Sequence, residues 1–327
     1  MAIPRIIHYC WMSGDPFPTE IQECIDSWKQ VMPNYEIKLW NSKNFDVNMN
    51  QYTKEAMQRK KYAFVSDYIR LYALYTEGGI YLDSDVKAIQ SFDSLLDEHA
   101  FIGFESGGRL GPWLIASEAG NPIIKELLDY YVEKSFYKEN GEMDLTPNTV
   151  PVTNILTKYG LLPDNKVQRL EHITIYPEDY FCPKNPWNGR INITANTIAM
   201  HLFMGAWNDT TDSDLAFISS IDKYVKNFIA DLRKDSKTII VYGLGVVGRN
   251  VLEELRSYSD ISVECILVTK RDNDWMSVDG IPIIEANKSE MITKNLPVLI
   301  STMSKYHSAI ENTLDELGYT NIYFLGR

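Results

Sequence analysis

The sequence predicts an α/β fold in two parts, and three observations support this class. First, residues 4–11 form an apolar strand, residues 19–31 have helical periodicity and residues 35–40 alternate like a second strand, which is a βαβ opening. Second, a short apolar strand at 80–82 ends in an acidic triplet. Third, an apolar strand at 238–242 leads through a glycine-rich turn into a helix. Strands that alternate with helices are typical of sheets covered by helices.

Composition and charge exclude several classes of protein. The 327 residues are 45% hydrophobic and 23% charged, which is the profile of a globular chain. The length predicts a main domain of roughly 200 to 250 residues and a smaller one. The net charge of −12 argues against a nucleic-acid partner, because phosphate backbones favour clustered lysine and arginine.

Cysteine spacing and the lack of long apolar stretches indicate the cellular compartment. Cys10, Cys24, Cys182 and Cys265 are far apart and form no C-x-x-C pair, so we expect reduced thiols and no zinc site. The N-terminus lacks the pattern of a signal peptide, and no window approaches ~18 uninterrupted apolar residues. The sequence therefore predicts a cytoplasmic protein without a transmembrane segment.

The acidic triplet follows a long predicted helix from about Tyr52 to Glu77, which Gly78 and Gly79 close. The basic run at 59–61 is interpreted as a solvated face of this helix. In open α/β sheets, ligands bind outside the carboxyl ends of strands, and the triplet 83–85 stands at such an end.

Asp83 and Asp85 are separated by one residue, so both carboxylates can turn toward one divalent cation. Hard oxygen ligands suit Mg²⁺ or Mn²⁺ rather than zinc. Acidic turns without a ligand are common, and the flanking sequence decides between these two interpretations.

The flanking sequence resembles a known family. Residues 63–85, AFVSDYIRLYALYTEGGIYLDSD, match throughout the pattern small-x-x-S-D-x-x-R-x-x-x-L-x-x-x-G-G-x-Y-x-D-x-D of the sugar-binding region of family 32 glycosyltransferases. Residues 3–11, IPRIIHYCW, resemble the first strand of these enzymes, and residues 201–207, HLFMGAW, resemble their late His-to-Trp segment. The matches frame residues 1–210 and omit the C-terminal part.

The resemblance implies a fold of the glycosyltransferase-A type, with a mixed sheet flanked by helices. It implies a metal-dependent, retaining enzyme that transfers a hexose or N-acetylhexosamine from a nucleotide-sugar donor, expected to be a UDP-sugar. Asp83 and Asp85 would belong to the site for the metal and the diphosphate, with Asp85 as the more direct ligand. His201 would complete the coordination of Mn²⁺ or Mg²⁺, although a hydrogen-bonded core histidine is the alternative.

By the same resemblance, Asp67 and Arg70 hydrogen-bond the transferred sugar, and the guanidinium also meets a phosphate oxygen. Together with Asp83 and Asp85 they form the predicted catalytic set. Without the flanking pattern, Asp67 and Arg70 would be interpreted as a surface ion pair three residues apart on a helix, worth only ~0.3 kcal/mol.

The nucleotide is expected to contact aromatic and imidazole side chains. The resemblance places His8 and Trp11 at the base pocket, Tyr81 over the nucleotide and Trp207 in the segment that closes the site. A flat aromatic ring is a suitable stacking platform for uracil, but the two tryptophans could also be ordinary core residues.

Two further segments are expected to face the acceptor. Residues 105–113 are rich in glycine and polar groups, a composition that suits a loop lining a pocket. Residues 146–154 stand where relatives carry a T-G-P-like segment, but here the glycine is absent.

The C-terminal part supports rival hypotheses. We place the boundary between a catalytic domain at 1–235 and a Rossmann-like accessory domain at 236–327, which is too short for a complete six-stranded dinucleotide fold. Gly243-x-Gly245-x-x-Gly248 follows a strand and opens a helix, so an NAD(P)-dependent oxidoreductase is an alternative. Against it, residues 269–271, Thr-Lys-Arg, stand where an acidic residue for the ribose is expected.

A third hypothesis is a nucleotide-sugar-binding or docking protein without catalysis, which meets partner proteins through the C-terminal domain. The resemblance to bacterial capsule enzymes favours capsular or exopolysaccharide synthesis. It implies a saccharide acceptor, with a lipid-linked saccharide as one form, that the protein meets peripherally at the inner face of the membrane.

Overall fold

The computed structural model describes residues 2–105, 108–186, 189–204, 217–232, 237–271 and 276–326. Within these ranges the chain forms a seven-stranded sheet, a six-stranded sheet and a two-stranded sheet. The two larger sheets correspond to the two predicted parts of the sequence.

The first sheet is mixed. Its strands are β1 (Ile6–Cys10), β2 (Glu36–Trp40), β3 (Gly79–Leu82), β5 (Ala100–Glu105), β6 (Arg109–Ser117), β7 (Gln168–Leu170) and β8 (Ile173–Tyr176), in the order β2-β1-β3-β6-β5-β8-β7. Strand β1 pairs parallel with β2 and β3, whereas β3 pairs antiparallel with β6. The predicted βαβ opening and mixed sheet are therefore confirmed.

Helices flank this sheet as predicted. They are α1 (Thr19–Val31), α2 (Gln51–Gln58), α3 (Tyr62–Glu77), α4 (Pro122–Asp129), α5 (Thr149–Thr157) and the short α6 (Glu178–Phe181). Ile21, Ile25 and Trp28 bury one face of α1 in a core with alternate residues of β1. Helix α3 is buried in a separate core with Tyr81 of β3, so the sheet carries hydrophobic packing on both faces.

The single helix predicted from Tyr52 to Glu77 is wrong, because the chain breaks at the basic run. Helix α2 ends at Gln58 and α3 starts at Tyr62, and Lys60 between them has a φ of 54°, a left-handed conformation that interrupts a helix. The basic run is therefore a connection between two helices rather than a face of one.

The second sheet contains more strands than the sequence predicts. It consists of β10 (Thr238–Tyr242), β11 (Ser262–Val268), β12 (Ser277–Val278), β13 (Ile281–Glu285), β14 (Val298–Ile300) and β15 (Ile322–Phe324), in the order β12-β13-β11-β10-β14-β15. All neighbours pair parallel except β12 with β13. The part is thus long enough for six strands, because several have only two to five residues.

Helices α7 (Ile221–Leu232), α8 (Val246–Leu255) and α9 (His307–Glu316) accompany the second sheet. The predicted boundary at residue 235 lies outside the described residues. Helix α7, which that boundary assigns to the first domain, packs on the second sheet, with the Phe228 ring edge-on to Tyr323 at 5.2 Å. The division into two domains stays a prediction.

The four cysteines are buried, and their reduced state stays a prediction. Among the described helices, none is long and apolar enough to cross a membrane.

Candidate functional site

The acidic triplet lies where the first sheet meets a two-stranded sheet. Strand β3 ends at Leu82, and the Asp83 amide donates a hydrogen bond to the Trp113 carbonyl at 2.8 Å. The chain turns and continues as β4 (Val86–Ala88), which pairs antiparallel with β9 (Ala199–His201). Val86 is opposite His201 in this pairing, so the register brings the histidine beside the triplet.

Asp83, Asp85 and His201 form a cluster. One ligand-type atom from each residue lies within 4.8 Å of those from the other two. His201 Nε2 is 3.1 Å from Asp85 Oδ1, and the Met204 amide donates to Asp85 Oδ2 at 3.0 Å. Burial alone would raise the pKa of Asp85, but the His201 imidazole and these hydrogen bonds outweigh it and lower the pKa.

Two side chains donate hydrogen bonds to Asp83. Its Oδ1 accepts hydrogen bonds from Arg70 Nη2 at 3.2 Å and from the Tyr81 hydroxyl at 3.0 Å. Burial raises the pKa of Asp83, although the Arg70 charge opposes this shift. These two bonds fix the orientation of the carboxylate. The Asp83 side chain is 22% exposed.

Arg70 is a buried cation that contacts several residues of the site. Its side chain is 2% exposed, donates to the Pro112 carbonyl at 2.8 Å and pairs with Asp67 Oδ1 at 3.1 Å. The guanidinium also lies over the Tyr81 ring at 4.8 Å, a cation–π contact. Protein groups surround the guanidinium in this structure, and its contact with a sugar or a phosphate stays a prediction.

Asp67 combines a satisfied oxygen with an unsatisfied one. Its Oδ1 accepts from Arg70 and from Asn148 Nδ2, whereas the buried Oδ2 has no hydrogen-bond partner among the described residues. Burial raises the pKa of Asp67 despite the opposing Arg70 charge. Buried polar atoms usually have partners, so Oδ2 is a suitable acceptor for a ligand hydroxyl.

Two residues predicted to contact the nucleotide are buried in this structure, and these contacts stay predictions. His8 is fully buried, with Nε2 2.8 Å from the Gly78 carbonyl, while Trp40 Nε1 donates to its Nδ1 at 3.1 Å. Both ring nitrogens are thus satisfied, and burial lowers the pKa of the imidazole. Tyr81 is 1% exposed, lies beneath the Arg70 guanidinium and donates its hydroxyl hydrogen bond to Asp83.

The two tryptophans differ in what can be said of them. Trp11 is partly buried, donates from Nε1 to the Asp15 carbonyl at 2.7 Å and packs edge-on against Phe17. Its contact with a base stays a prediction. Trp207 lies outside the described residues.

The sequence did not single out two aromatic residues that enclose His201. The Trp113 ring stacks on the imidazole at a centroid distance of 4.6 Å, and the Phe203 ring lies 4.1 Å away. A signal existed for both, since Trp113 closes the loop predicted to face the acceptor and Phe203 belongs to the His-to-Trp segment.

Glu105 begins the same loop and faces a mixed electrostatic environment. Burial raises its pKa, while the charges of His201 and Arg109 oppose the shift. Asn148 is a further residue that spacing did not reveal, although it stands in the segment compared with T-G-P. The predicted acceptor segments therefore both contact the site residues.

The cluster fits a hard divalent cation. Two carboxylates and one imidazole are ligands that Mn²⁺ and Mg²⁺ accept, and no thiolate stands among them. Asp83 is oriented by two donors on one oxygen, which leaves its other oxygen for a ligand.

Two aspartates and a histidine at the carboxyl end of a strand in an α/β sheet are typical of a metal-binding site in an enzyme of the α/β class. Within this class, residues 18–102 match the family described as "Glycosyltransferase sugar-binding region containing DXD motif". This part of the chain is thus similar to DXD-containing sugar-binding regions, and the resemblance predicted from residues 63–85 is confirmed.

Three relatives are similar over part of the chain. Subversion of eukaryotic traffic protein A of Legionella pneumophila is 27% identical over 172 residues, covering 41% of this chain and 26% of that protein. Inositol phosphoceramide mannosyltransferase 3 of Schizosaccharomyces pombe is 28% identical over 134 residues, covering 39% and 36%. Uncharacterized glycosyltransferase L373 of Acanthamoeba polyphaga mimivirus is 23% identical over 202 residues, covering 56% and 76%. The chain spans about a quarter to a third of the length of the first two relatives.

Proposed function

We propose that the protein is a metal-dependent, retaining glycosyltransferase that transfers a sugar from a nucleotide-sugar donor to a saccharide acceptor. The observation that carries this proposal is the Asp83, Asp85 and His201 cluster, whose two aspartates lie within the residues 18–102 that match the DXD family. Neither observation alone would suffice, because acidic clusters without a metal are common.

Asp83, Asp85 and His201 would hold Mn²⁺ or Mg²⁺, which supplies Lewis-acid stabilisation of the departing diphosphate. The protein's own contribution is preorganisation. Arg70 and Tyr81 fix Asp83, while the Met204 amide fixes Asp85. Fixed ligands need no reorganisation as charge develops on the leaving group, which is how an electrostatic site accelerates a reaction.

The transferred sugar would lie against Asp67. Its unpartnered Oδ2 would accept a hydrogen bond from a sugar hydroxyl, because an ionised carboxylate is an acceptor at both oxygens. Arg70 would act as a positioning residue that orients Asp67 and Asp83, because it touches both aspartates from a buried location.

The finer assignment rests on the family resemblance. We infer a UDP-sugar donor carrying a hexose or N-acetylhexosamine and a saccharide acceptor, with a lipid-linked saccharide as one form, used in capsular or exopolysaccharide synthesis at the inner face of the membrane. The S. pombe relative is named as a mannosyltransferase, so GDP-mannose belongs in any donor screen.

Donor hydrolysis tests the proposal without knowledge of the acceptor. UDP- and GDP-sugars are incubated with the protein in Mn²⁺, in Mg²⁺ and in EDTA, and release of nucleoside diphosphate is measured. We expect nucleoside diphosphate to be released from one of the two donor classes, and only when Mn²⁺ or Mg²⁺ is present. Asp85→Asn should lower the rate at least about 100-fold, because metal stabilisation contributes several kcal/mol.

Asp129→Asn is the matched control, since Asp129 is an exposed residue that pairs with Lys125 on α4. It should hydrolyse the donor at the native rate. Equal rates in EDTA and Mn²⁺, or an unaffected Asp85→Asn variant, would contradict the metal assignment.

A further inference from the structure

A cavity of about 350 Å³ opens at the carboxyl edge of the second sheet. Its wall includes Tyr242 and Val268, the last residues of β10 and β11, together with Gly243 and Thr269 directly after them and Thr302 after β14. This edge is where parallel α/β sheets bind ligands. The volume lies within the range of small-molecule sites.

Cationic side chains surround the cavity. Arg249, Lys270 and Arg271 line it from the second part of the chain, and Arg109 lines it from β6 of the first sheet. Of the described residues in its wall, none carries a carboxylate. In a chain with a net charge of −12, such a local excess of positive charge favours an anionic ligand.

The three glycines of the turn serve different purposes. A Cβ on Gly248 would lie 2.1 Å from the Gly243 carbonyl oxygen, and Gly243 itself has a φ of 106°, so the fold requires both. Gly245 has an ordinary extended backbone, and a Cβ there would meet nothing within 4 Å. Its missing side chain therefore leaves space free in the cavity rather than relieving a clash.

Gly245 is also the N-cap of α8, and no side chain caps this helix. The first amides of a helix are donors without intrahelical partners, and they bind phosphate groups well. The other wall of the cavity is apolar, with Leu244, Ile283 and Ile310 beside the exposed Tyr306 ring. One end thus suits phosphates and the other suits a base.

We propose that this cavity binds a nucleoside diphosphate, at a site separate from the Asp83 and Asp85 cluster. The diphosphate lies at the start of α8 between Arg249 and Lys270, and the base lies on the apolar wall. Because Arg109 belongs to the first sheet, the ligand touches both parts of the chain. Lys270 stands where a dinucleotide site would need an acidic group for the ribose, so NAD is not the expected ligand.

Calorimetric titration of the full chain in EDTA tests this site apart from the metal-dependent one. The ligands are UDP, GDP, ADP, NAD, NADP and inorganic pyrophosphate, each titrated into native protein and into Asp85→Asn. We expect at least one nucleoside diphosphate to bind both proteins with equal affinity. Pyrophosphate should bind at least about tenfold more weakly, because it cannot use the apolar wall.

Gly245→Asp and Gly245→Asn form a matched pair with side chains of equal size. Both can cap α8, so neither should lower the melting temperature. The aspartate should weaken nucleoside diphosphate binding at least about tenfold relative to the asparagine, because like charges repel. Lys270→Gln should also weaken binding, whereas Lys54→Gln on α2 should leave it unchanged.

Several results would overturn the proposal: no binding by any nucleoside diphosphate in EDTA, tighter binding of NAD or NADP, pyrophosphate binding as tight as the nucleotides, or equal affinities of the two Gly245 variants. Metal-dependent donor hydrolysis by Gly245→Asp is measured in parallel. Its persistence shows that the proposed transferase function stands or fails independently of this site.

Discussion

Arg70 and Asp83 are joined by an ion pair of 3.2 Å between Nη2 and Oδ1, which ties the middle of α3 to the end of β3. The same nitrogen lies 3.1 Å from Asp67 Oδ1. One buried cation thus serves two carboxylates, and the first prediction concerns its removal.

Arg70→Ala should destabilise the fold by about 3–5 kcal/mol, because two carboxylates lose their buried partner. Urea unfolding at pH 7 measures the free energy. Arg5→Ala is the control, since Arg5 forms an exposed pair with Asp93 and should cost less than about 1 kcal/mol. Equal losses in the two variants would refute the organising role of Arg70.

Asp67→Asn should separate the sugar from the nucleotide. The variant loses the carboxylate oxygen that is free for a sugar hydroxyl, so kcat/KM for donor hydrolysis should fall at least about tenfold. Affinity for the bare nucleoside diphosphate with Mn²⁺ should change less than about twofold, because Asp67 is outside the metal cluster. Parallel losses in both quantities would count against the assigned contact.

His201→Asn should weaken binding of Mn²⁺ at least about tenfold, since the site loses one of three ligands. Electron paramagnetic resonance of free Mn²⁺ during titration measures the affinity directly. His99→Asn is the control, because His99 pairs with Glu118 at the surface. Unchanged Mn²⁺ affinity in His201→Asn would restrict the cluster to the two aspartates.

Glu178→Gln should stabilise the protein, and more so at high pH. Burial, with Glu253 adding to it, raises the pKa of Glu178 from 4.5 to about 7. A carboxyl with a raised folded-state pKa contributes stability below pH 4.5, and this contribution is lost as the pH rises through 7. The melting temperature of the variant should therefore exceed the native one at pH 8 and approach it at pH 5.

Glu171→Gln is the control for this pH dependence, because Glu171 is largely exposed. Its melting temperature should follow the native protein at both pH values. A constant difference between Glu178→Gln and native protein from pH 5 to 8 would contradict the raised pKa.

The sequence revealed the position of the acidic pair but not the orientation of its neighbours. Asp83 was placed at the end of β3 by the apolar run before it, and the structure agrees. His8 and Tyr81, by contrast, lie on strands with packing on both faces, where alternation cannot show which face meets a ligand. Arg70 lies on a helix buried almost all round, so periodicity gave it no exposed side.

Contacts between distant segments were also beyond the reach of spacing. Asn148 reaches Asp67 across 81 residues, and no local pattern encodes such a contact. The sequence analysis missed β12 and β15, the two edge strands of the second sheet, because strands of two or three residues show no periodicity. The family pattern, rather than local propensity, led to His201.

The pairing of β4 with β9 has a consequence for folding. His201 joins Asp85 only after a loop of 116 residues has closed, so the cluster is assembled from the ends of a long chain segment. A cation bound there would stabilise the closed loop by mass action, and Mn²⁺ should therefore slow unfolding as well as support chemistry. A fragment that ends before Ala199 would keep both aspartates and still lack the assembled three-residue cluster.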